Sequence, residues 1–182
     1  KAHAVYAQLR SDGLGSEKLR ATAGLRFNRT GGEKALVWST SAVYQFSDRL
    51  YVEGSLGTSF LLPDAYQLYA VDPFEPRGNP ELEPEKSRNL NLAVGGNFDA
   101  GSRTLHWQFT GWRRSVRNLI TDDDTNPPAG FDSVFINVDD TVRVSGGEAL
   151  LRGDLARDWQ FSASWLYSRE RNPGTRIQRN DR

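Results

Sequence analysis

The sequence lacks cysteine and methionine, and it has only two histidines. The absence of cysteine excludes a disulfide framework, a thiol nucleophile and a cysteine-ligated metal. No run of apolar residues exceeds four, so a transmembrane helix, which needs about 20, is excluded as well. Because the chain has no methionine and opens without an apolar leader, we expect it to be an internal part of a longer protein.

The charge of the chain is balanced, with 23 basic and 23 acidic residues. A nucleic-acid binder is expected to have a clearly basic face, so the balance argues against nucleic acid as a partner. Aromatic residues make up 11% of a chain whose mean hydropathy is polar. This combination fits a barrel lined by water and surrounded by lipid, and it equally fits a carbohydrate-binding sandwich.

Sequence motifs of enzymes are absent. The chain has no Gly-x-Ser-x-Gly, no phosphate-binding loop and no His-Glu-x-x-His. His106 has no second histidine near it and is interpreted as a residue of a polar strand face. The aspartates at 122–124 and 139–140 are interpreted as solvated loop residues, because consecutive side chains diverge. We therefore expect no enzyme activity, no metal site and no cofactor.

Long stretches of the chain alternate between apolar and polar residues. Successive side chains of a strand point to opposite faces, so each stretch predicts a strand with one apolar face. The stretches are about 10 residues long, close to the length of a tilted strand that crosses a bilayer. Large aromatic side chains stand near strand ends, as in the girdles of outer-membrane barrels. The clearest apolar sets lie at 19–27, 36–46, 50–60, 90–98, 105–109 and 159–167.

The links between these strands alternate between short and long, which is typical of an outer-membrane barrel. Tight turns at 47–49, 99–102 and 156–158 are predicted to be periplasmic. Links rich in proline, glycine and aspartate, between 60 and 87 and between 121 and 132, are predicted to be extracellular loops. The sequence therefore predicts an all-β antiparallel meander of about eight strands.

Two stretches depart from simple alternation. The strand from Thr104 loses its phase at positions 111–112, and we expect it to extend beyond the lipid there. The stretch from 134 to 155 is interpreted as one strand whose apolar residues change parity at Gly146-Gly147. This change predicts a β-bulge at the two glycines.

The most specific segment lies between positions 57 and 87. An alternating strand ends in Phe60-Leu61-Leu62-Pro63, and the next strand follows Asn79-Pro80-Glu81-Leu82-Glu83-Pro84-Glu85. This order of Phe-x-x-Pro and Asn-Pro-x-Leu-x-Pro-Glu resembles the central barrel segment of TonB-dependent outer-membrane receptors of the ferric-siderophore and vitamin B12 type. The pair Asn137-Val138, followed by Gly147-Glu148, resembles a later strand of that family, where Gly-Val-Glu is more usual.

The resemblance implies that residues 1–182 form an arc of a large, 22-stranded transmembrane β-barrel (about 22 strands in this family), without its plug and its early and last strands. It implies a place in the outer membrane of a Gram-negative bacterium, in contact with lipid. It also implies a receptor that imports a scarce solute, first of all a ferric siderophore. The energy would come from TonB, acting through a plug segment that lies outside this chain.

A solute site of such a barrel is expected at the extracellular mouth, where the loop after position 63 lies. The candidate substrate-binding residues are Tyr66, Tyr69, Phe74 and Arg77, because aromatic faces and a guanidinium suit an aromatic, anionic ferric chelate. The glycine at 78 and the prolines at 80 and 84 are interpreted as turn residues. The absence of histidine between 60 and 82 disfavours haem.

Two other classes of protein remain open. A small closed outer-membrane barrel acting as an adhesin or anchor would close within about eight strands and would not need the Asn-Pro-x-Leu-x-Pro-Glu loop. A soluble carbohydrate-binding β-sandwich would have shorter strands, with aromatic residues in a row on a polar face. The alternating link lengths and the aromatic residues near strand ends argue against both.

Overall fold

A computed structural model describes residues 2–13, 15–30, 32–72, 74–101, 103–156 and 159–171. Strands dominate these residues, and a short helix, α1, spans Ala65–Tyr69. No helix in this part of the chain is long and apolar enough to span a membrane. The strands are β1 (Ala2–Asp12), β2 (Leu19–Thr30), β3 (Glu33–Ser47), β4 (Leu50–Leu61), β5 (Glu85–Ala100), β6 (Arg103–Arg117), β7 (Ile120–Asp123), β8 (Val134–Asn137), β9 (Val142–Ala156) and β10 (Trp159–Arg171).

Eight of these strands form one sheet in the order β1-β2-β3-β4-β5-β6-β9-β10. Neighbours in the sheet are also neighbours along the chain, except that β7 and β8 pair with each other as a separate antiparallel ribbon. Antiparallel strands that follow one another along the chain can pair directly, without crossover connections. The all-β meander of about eight strands predicted from the alternation is confirmed.

The register of the first four strands places their apolar residues on one face of the sheet. Val5 lies opposite Phe27, and Phe27 lies opposite Leu36. On the other face, Ser41 lies opposite Ser55. We call these two sides the apolar face and the polar face. A register slip of one residue would exchange them, so the alternation itself fixes the pairing.

Contacts between neighbouring strands extend the apolar face to the later strands. Gly54 lies on this face, opposite Ala42. A Cβ at Gly54 would lie 3.9 Å from Cδ1 of Leu92, and a Cβ at Gly153 would overlap the side chain of Leu105. The even positions of β5 and the odd positions of β6 and β9 therefore belong to the apolar face.

The polar face is joined by hydrogen bonds between the same strands. Asn91 donates to Oγ of Ser55 at 3.0 Å. His106 lies on this face, as predicted, with Nδ1 at 2.5 Å from Oδ1 of Asn97. Side chains thus continue the alternation that the register establishes in the first four strands.

The described residues form two compact units. The strand unit consists of residues 2–58, 88–114 and 144–169, and the loop unit consists of residues 59–87 and 115–143 with 170–171. The apolar face of the strand unit is exposed; Leu9, for example, is 74% exposed and Trp165 is 65% exposed. An exposed apolar face of this extent fits contact with lipid rather than with water. The buried apolar residues of the loop unit are Ala70, Leu82, Val116, Val138 and Val142.

Polar side chains contact one another at the turn end of the strand unit. Arg49 and Asp99 form an ion pair at 2.6 Å, and Thr104 donates to Asp99 at 3.1 Å. The predicted turn at 47–49 is confirmed, since β3 ends at Ser47 and β4 begins at Leu50. The turns predicted at 99–102 and 156–158 include residues 102, 157 and 158, which lie outside the described residues.

The prediction of one strand from 134 to 155 is wrong, because the stretch forms two strands, β8 and β9. The first part, β8, pairs with β7, and β9 begins only at Val142. Between them, the backbone N–H of Val138 donates to the carbonyl of Leu119 at 2.8 Å. This bond ties the residue after β8 to the residue before β7. Apolar residues recur at even positions from 134 to 144, but the strand is interrupted between 137 and 142.

The β-bulge predicted at Gly146-Gly147 is also wrong. A Cβ at Gly146 would overlap the ring of Trp112, just as one at Gly153 would overlap Leu105. These two contacts are separated by the same number of residues on β6 and on β9, so neither strand has an extra residue between them. Gly146 is instead required because the Trp112 ring and the backbone of β10 leave no room for a side chain.

Candidate functional site

The candidate site is built on α1, whose start is fixed by its own side chains. Asp64 accepts a hydrogen bond from the backbone N–H of Gln67 at 2.7 Å. In return, Oε1 of Gln67 accepts from the N–H of Asp64 at 3.0 Å. This reciprocal capping box satisfies donors that a helix of five residues would otherwise leave open. The helix is thereby ordered despite its length, and it holds Tyr66 and Tyr69 in place.

The segment after α1 folds back onto the helix. Gly78 donates its N–H to the carbonyl of Ala70 at 2.8 Å, and Asn79 donates its N–H to the carbonyl of Gln67 at 2.8 Å. The side-chain amide of Asn79 then donates to the carbonyl of Phe135 in β8 at 3.0 Å. Asn79 therefore connects the helix to the β7–β8 ribbon.

A second connection, which we call the Asn137 clasp, consists of Glu83, Asn118 and Asn137. Oδ1 of Asn137 accepts from the N–H of Glu83 at 2.7 Å, and its Nδ2 donates to the carbonyls of Glu83 and Asn118, each at 2.9 Å. Asn118 adopts a positive φ of 54° and donates to the Glu83 carboxylate at 2.7 Å. Asparagine tolerates this left-handed conformation better than most residues.

Two further residues of the Asn-Pro-x-Leu-x-Pro-Glu segment are buried. Leu82 is 7% exposed and Glu85 is 8% exposed. One Glu85 carboxylate oxygen accepts the backbone N–H of Ile120, the first residue of β7, at 3.0 Å. The segment therefore does more than turn the chain, because its amide, carboxylate and leucine hold the ribbon and the helix together.

Arg77 lies beside the start of β8, where it forms a bridge with Val134. Its N–H donates to the carbonyl of Ser133 at 2.9 Å, and its carbonyl accepts from the N–H of Phe135 at 3.0 Å. The guanidinium carbon lies 5.2 Å from the centroid of the Phe131 ring, within cation–π range. The backbone is thus fixed on both sides of an exposed, positively charged side chain.

The aromatic candidates fall into two groups. The ring of Tyr66 meets the ring of Phe135 edge to face, with centroids 6.0 Å apart. Tyr69 is 66% exposed and Phe74 is 91% exposed, and among the described residues neither ring packs against another ring. The structure therefore brings Tyr66 and Arg77 to the common segment 131–135. It leaves Tyr69 and Phe74 as open surface.

Sequence reasoning missed Phe131, Phe135 and the Asn137 clasp. The phenylalanines carry no local signal, because their partners are more than 50 positions away along the chain. The Asn137 clasp did have a signal in the sequence, since the Asn137-Val138 pair and the Asn-Pro-x-Leu-x-Pro-Glu segment are both motifs that carry the family resemblance. The structure joins them by direct hydrogen bonds.

The charge of the loop unit is far from the balance of the whole chain. Residues 59–87 contain six acidic and two basic residues, and residues 115–143 again contain six and two. Asp72 and Glu75 of this surplus stand beside Tyr66. The local field therefore disfavours a highly anionic solute except where Arg77 faces it.

The pKa of Tyr66 is raised above its ordinary value by partial burial of the ring first, then by the charge of Glu75 and the hydrogen bond to it, and by the charge of Asp72. A raised pKa favours the protonated phenol in the folded protein. Its contribution to stability is therefore fully present below about pH 10 and is lost as the pH rises through the folded-state value.

A spectrophotometric titration of the full-length protein at 295 nm checks this prediction. The difference between wild type and Tyr66→Phe isolates the Tyr66 phenolate, which should appear above about pH 10. In a Glu75→Gln background, the midpoint should move down, because the neighbouring charge is gone. An unchanged midpoint in that background would contradict the assigned cause.

Comparison with known proteins places the chain in context. It matches the family described as TonB dependent receptor-like, beta-barrel, over residues 1–182. The vitamin B12 transporter BtuB of Photobacterium profundum is 31% identical over 130 residues, which cover 67% of this chain and 20% of BtuB. The chain thus spans about a fifth of the length of that relative.

Solved structures resemble the fold at low sequence identity. The siderophore receptor PirA from Pseudomonas aeruginosa has a TM-score of 0.71 at 20% identity, covering 93% of this chain and 32% of PirA. A variant of the ferric enterobactin receptor PfeA from the same species, in complex with enterobactin, has a TM-score of 0.72 at 19% identity, covering 92% and 26%. The copper transporter OprC has a TM-score of 0.69 at 17% identity, covering 94% and 29%. At these identities the likeness shows the fold alone.

Proposed function

Because this chain belongs to the TonB-dependent receptor β-barrel family, we propose that it is an arc of an outer-membrane receptor that imports a scarce solute. The family match over residues 1–182 is the observation that carries this proposal. The whole chain is then part of one barrel domain. The parent protein lies in the outer membrane of a Gram-negative bacterium and takes its energy from TonB through a plug segment.

The distribution of side chains supports a barrel wall rather than a soluble sandwich. The apolar face is exposed along strands of up to 16 residues, and its members include Leu25, Leu56 and Leu92. The loop unit, in contrast, has its own buried residues and an acidic surface. A strand unit with an apolar face suited to lipid and a loop unit with ordered loops are both features that suit a receptor for external solutes.

The first candidate solute is a ferric siderophore held by Tyr66, Tyr69, Phe74 and Arg77. Tyr69 and Phe74 offer exposed rings on which an aromatic chelate can stack. The backbone of Arg77 is fixed by two hydrogen bonds, and its guanidinium can pair with an oxygen anion of the chelate. The acidic surroundings favour a chelate of low net charge among siderophores.

The second candidate solute is cobalamin. The BtuB relative, a vitamin B12 transporter, is 31% identical over 130 residues of this chain. The acidic balance of the loop unit also fits a large ligand without strong negative charge better than a trianionic chelate. Both candidates leave the proposed transport class unchanged.

The test is a binding titration with the full-length protein in detergent, in which tryptophan fluorescence reports binding. Ferric siderophores and cobalamin are added to wild type, Tyr69→Ala, Arg77→Ala and the control Arg103→Ala, which alters the turn end of β6. Loss of a stacking ring or of a charged partner should weaken binding by about 10-fold, while the control binds as wild type.

The possible outcomes separate the solute from the site. Tight binding of one chelate, weakened by Tyr69→Ala and Arg77→Ala, supports the first candidate and its site. Binding of cobalamin alone supports the second candidate. If either solute binds equally well to all variants, the proposed residues are wrong, and if nothing binds, the receptor proposal itself fails.

A further inference from the structure

Arg77 is a cation without an anionic partner in an acidic unit. Each of the segments 59–87 and 115–143 has six acidic residues against two basic ones. The ion pairs of the described residues nevertheless lie in the strand unit, and none includes Arg77. The exposed guanidinium also has no hydrogen-bond acceptor among the described residues, so its five N–H donors are open to an external oxygen.

The Arg77 guanidinium lies over an aromatic ring instead. Its carbon atom is 5.2 Å from the centroid of the ring of Phe131, which is half-buried. The negative face of a ring attracts a cation, and a guanidinium also stacks on such a face because it is planar. The contact therefore restricts the long side chain of Arg77 and leaves its charge unneutralised by a carboxylate.

A turn sets the position of the Phe131 ring. The N–H of Phe131 donates to the carbonyl of Pro128 at 3.1 Å, which closes a four-residue turn. Gly130, the third residue of this turn, has a φ of 88°, the conformation that a type II turn requires at that position. Two residues after Phe131, the carbonyl of Ser133 accepts the N–H of Arg77 at 2.9 Å. The link between β7 and β8 thus fixes the backbone of both partners.

The other cations of the segments 59–87 and 115–143 lack this arrangement. Lys86, Arg117 and Arg143 are exposed, and none of them lies over a ring of the described residues. A freely rotating side chain loses conformational entropy when it binds an anion, whereas a side chain that is already restricted loses less. Arg77 is therefore the cation of these segments whose geometry is prepared for an oxygen anion.

We propose that Phe131 is a positioning residue, which holds the Arg77 guanidinium for one bidentate oxygen anion of the solute. Such an anion has two oxygens on one carbon or phosphorus atom, and it accepts two parallel N–H bonds from a guanidinium. The acidic surplus of the loop unit opposes further anionic groups, so the solute carries one anion of this kind rather than several. This inference rests on the proposed function, because it concerns the solute that the receptor imports.

Both candidate solutes include molecules that meet this requirement. Cobalamin has one phosphodiester group. A ferric trihydroxamate chelate is neutral at the metal and can carry one free carboxylate at its periphery. A trianionic chelate, in contrast, would bring several negative charges into a unit that is itself acidic.

The test is a titration of the full-length protein in detergent, with tryptophan fluorescence as the signal. The probes are cyanocobalamin, a ferric trihydroxamate chelate with one free carboxylate, and the methyl ester of that chelate. The variants are Phe131→Leu, Phe131→Tyr, Arg77→Gln and the double variant Phe131→Leu/Arg77→Gln. Leucine keeps an apolar side chain without a ring face, whereas tyrosine keeps the ring.

The expected losses are coupled. Arg77→Gln should weaken binding of the solute about 10-fold, and Phe131→Leu should weaken it about 3- to 10-fold. The double variant should bind no more weakly than Arg77→Gln, because the ring acts through the guanidinium. Phe131→Tyr should bind as wild type does. The methyl ester should bind more weakly than the free carboxylate, and Phe131→Leu should not weaken it further.

Two controls match the change of charge and the loss of a ring. Arg117→Gln removes another exposed cation of the loop unit, and Phe27→Leu removes a ring from the apolar face of the strand unit. Both should bind the solute as wild type does. Circular dichroism and heat-modifiable gel migration verify that each variant is folded.

The outcomes separate this inference from the proposed function. If a solute binds wild type and Phe131→Leu equally well, or if the losses of the two changes add in the double variant, the positioning role is overturned while the receptor proposal stands. Equal binding of the ester and the free carboxylate, together with equal binding of cyanocobalamin by wild type and Arg77→Gln, would overturn the proposed anion. If no probe binds wild type, the receptor proposal fails and this inference fails with it.

Discussion

Replacing Gly78 by alanine is expected to disorder the loop unit while the strand unit stays paired. A Cβ at Gly78 would overlap the backbone nitrogens of Tyr69 and Ala70 and would lie 2.8 Å from the carbonyl carbon of Leu68. All three atoms are backbone, so no side chain can rotate away, and the segment must separate from α1. Overpacking of this kind costs about 1–3 kcal/mol or more of the free energy of unfolding.

Hydrogen exchange of the full-length protein measures the expected effect residue by residue. The amides of Gly78 and Asn79, which donate to Ala70 and Gln67, should lose protection, and solute affinity should fall with them. Gly130→Ala is the matched control, because Gly130 has a φ of 88° but no atom within 4 Å of a Cβ. It should cost only about 1 kcal/mol. Equal effects of the two changes would show that close approach is not the reason for Gly78.

The role of Gly78 marks a limit of what its sequence context could predict. Glycine beside Asn-Pro predicts a turn residue, yet the φ of Gly78 is not among the positive ones. The glycine is needed because the end of α1, at Ala70, lies against it. Local patterns predict conformations such as tight turns, but a close approach depends on where another segment packs.

The strands, in contrast, could be predicted well, since alternation is a local property that the register then fixes. The errors arose where strands enter the loop unit. Val142 and Val116 are 2% and 3% exposed there. Even-numbered positions of β9 and β6 therefore hold buried apolar residues in the loop unit, whereas even-numbered positions of the same strands belong to the polar face in the strand unit. The change of parity at Gly146-Gly147 therefore reflects a change of surroundings and not an extra residue.

The candidate site could be predicted only in part. The position of Tyr66 and Arg77 after a strand end placed them in a long link, and the structure confirms that they lie in the loop unit. Their ring partners could not be predicted, because Phe131 and Phe135 reach them through the ribbon that Asn79 and the Asn137 clasp hold. Whether the four candidates bind a solute stays a prediction.

Replacing Asn137 by alanine is expected to open the contact between the ribbon and the Asn-Pro-x-Leu-x-Pro-Glu segment. The change removes the acceptor of the Glu83 N–H and the donor to the carbonyls of Glu83 and Asn118. Asn137 is half-buried, so water replaces these bonds only in part. Each polar group left without a partner costs about 1–3 kcal/mol, and we expect a loss of about 2–4 kcal/mol in the stability of the loop unit.

Hydrogen exchange at Glu83 and Val138, together with solute affinity, measures the loss. Asn137→Asp separates donor from acceptor, because it keeps an oxygen for the Glu83 N–H but places a carboxylate against two carbonyls; it should be at least as harmful as alanine. Asn126→Ala, a change at an exposed position in the link between β7 and β8, should have little effect. If Asn137→Ala leaves exchange and affinity unchanged, the clasp is a consequence of the fold. If both fall together while the strand unit keeps its protection, the two sequence motifs act as one device that positions Tyr66 and Arg77 for the solute.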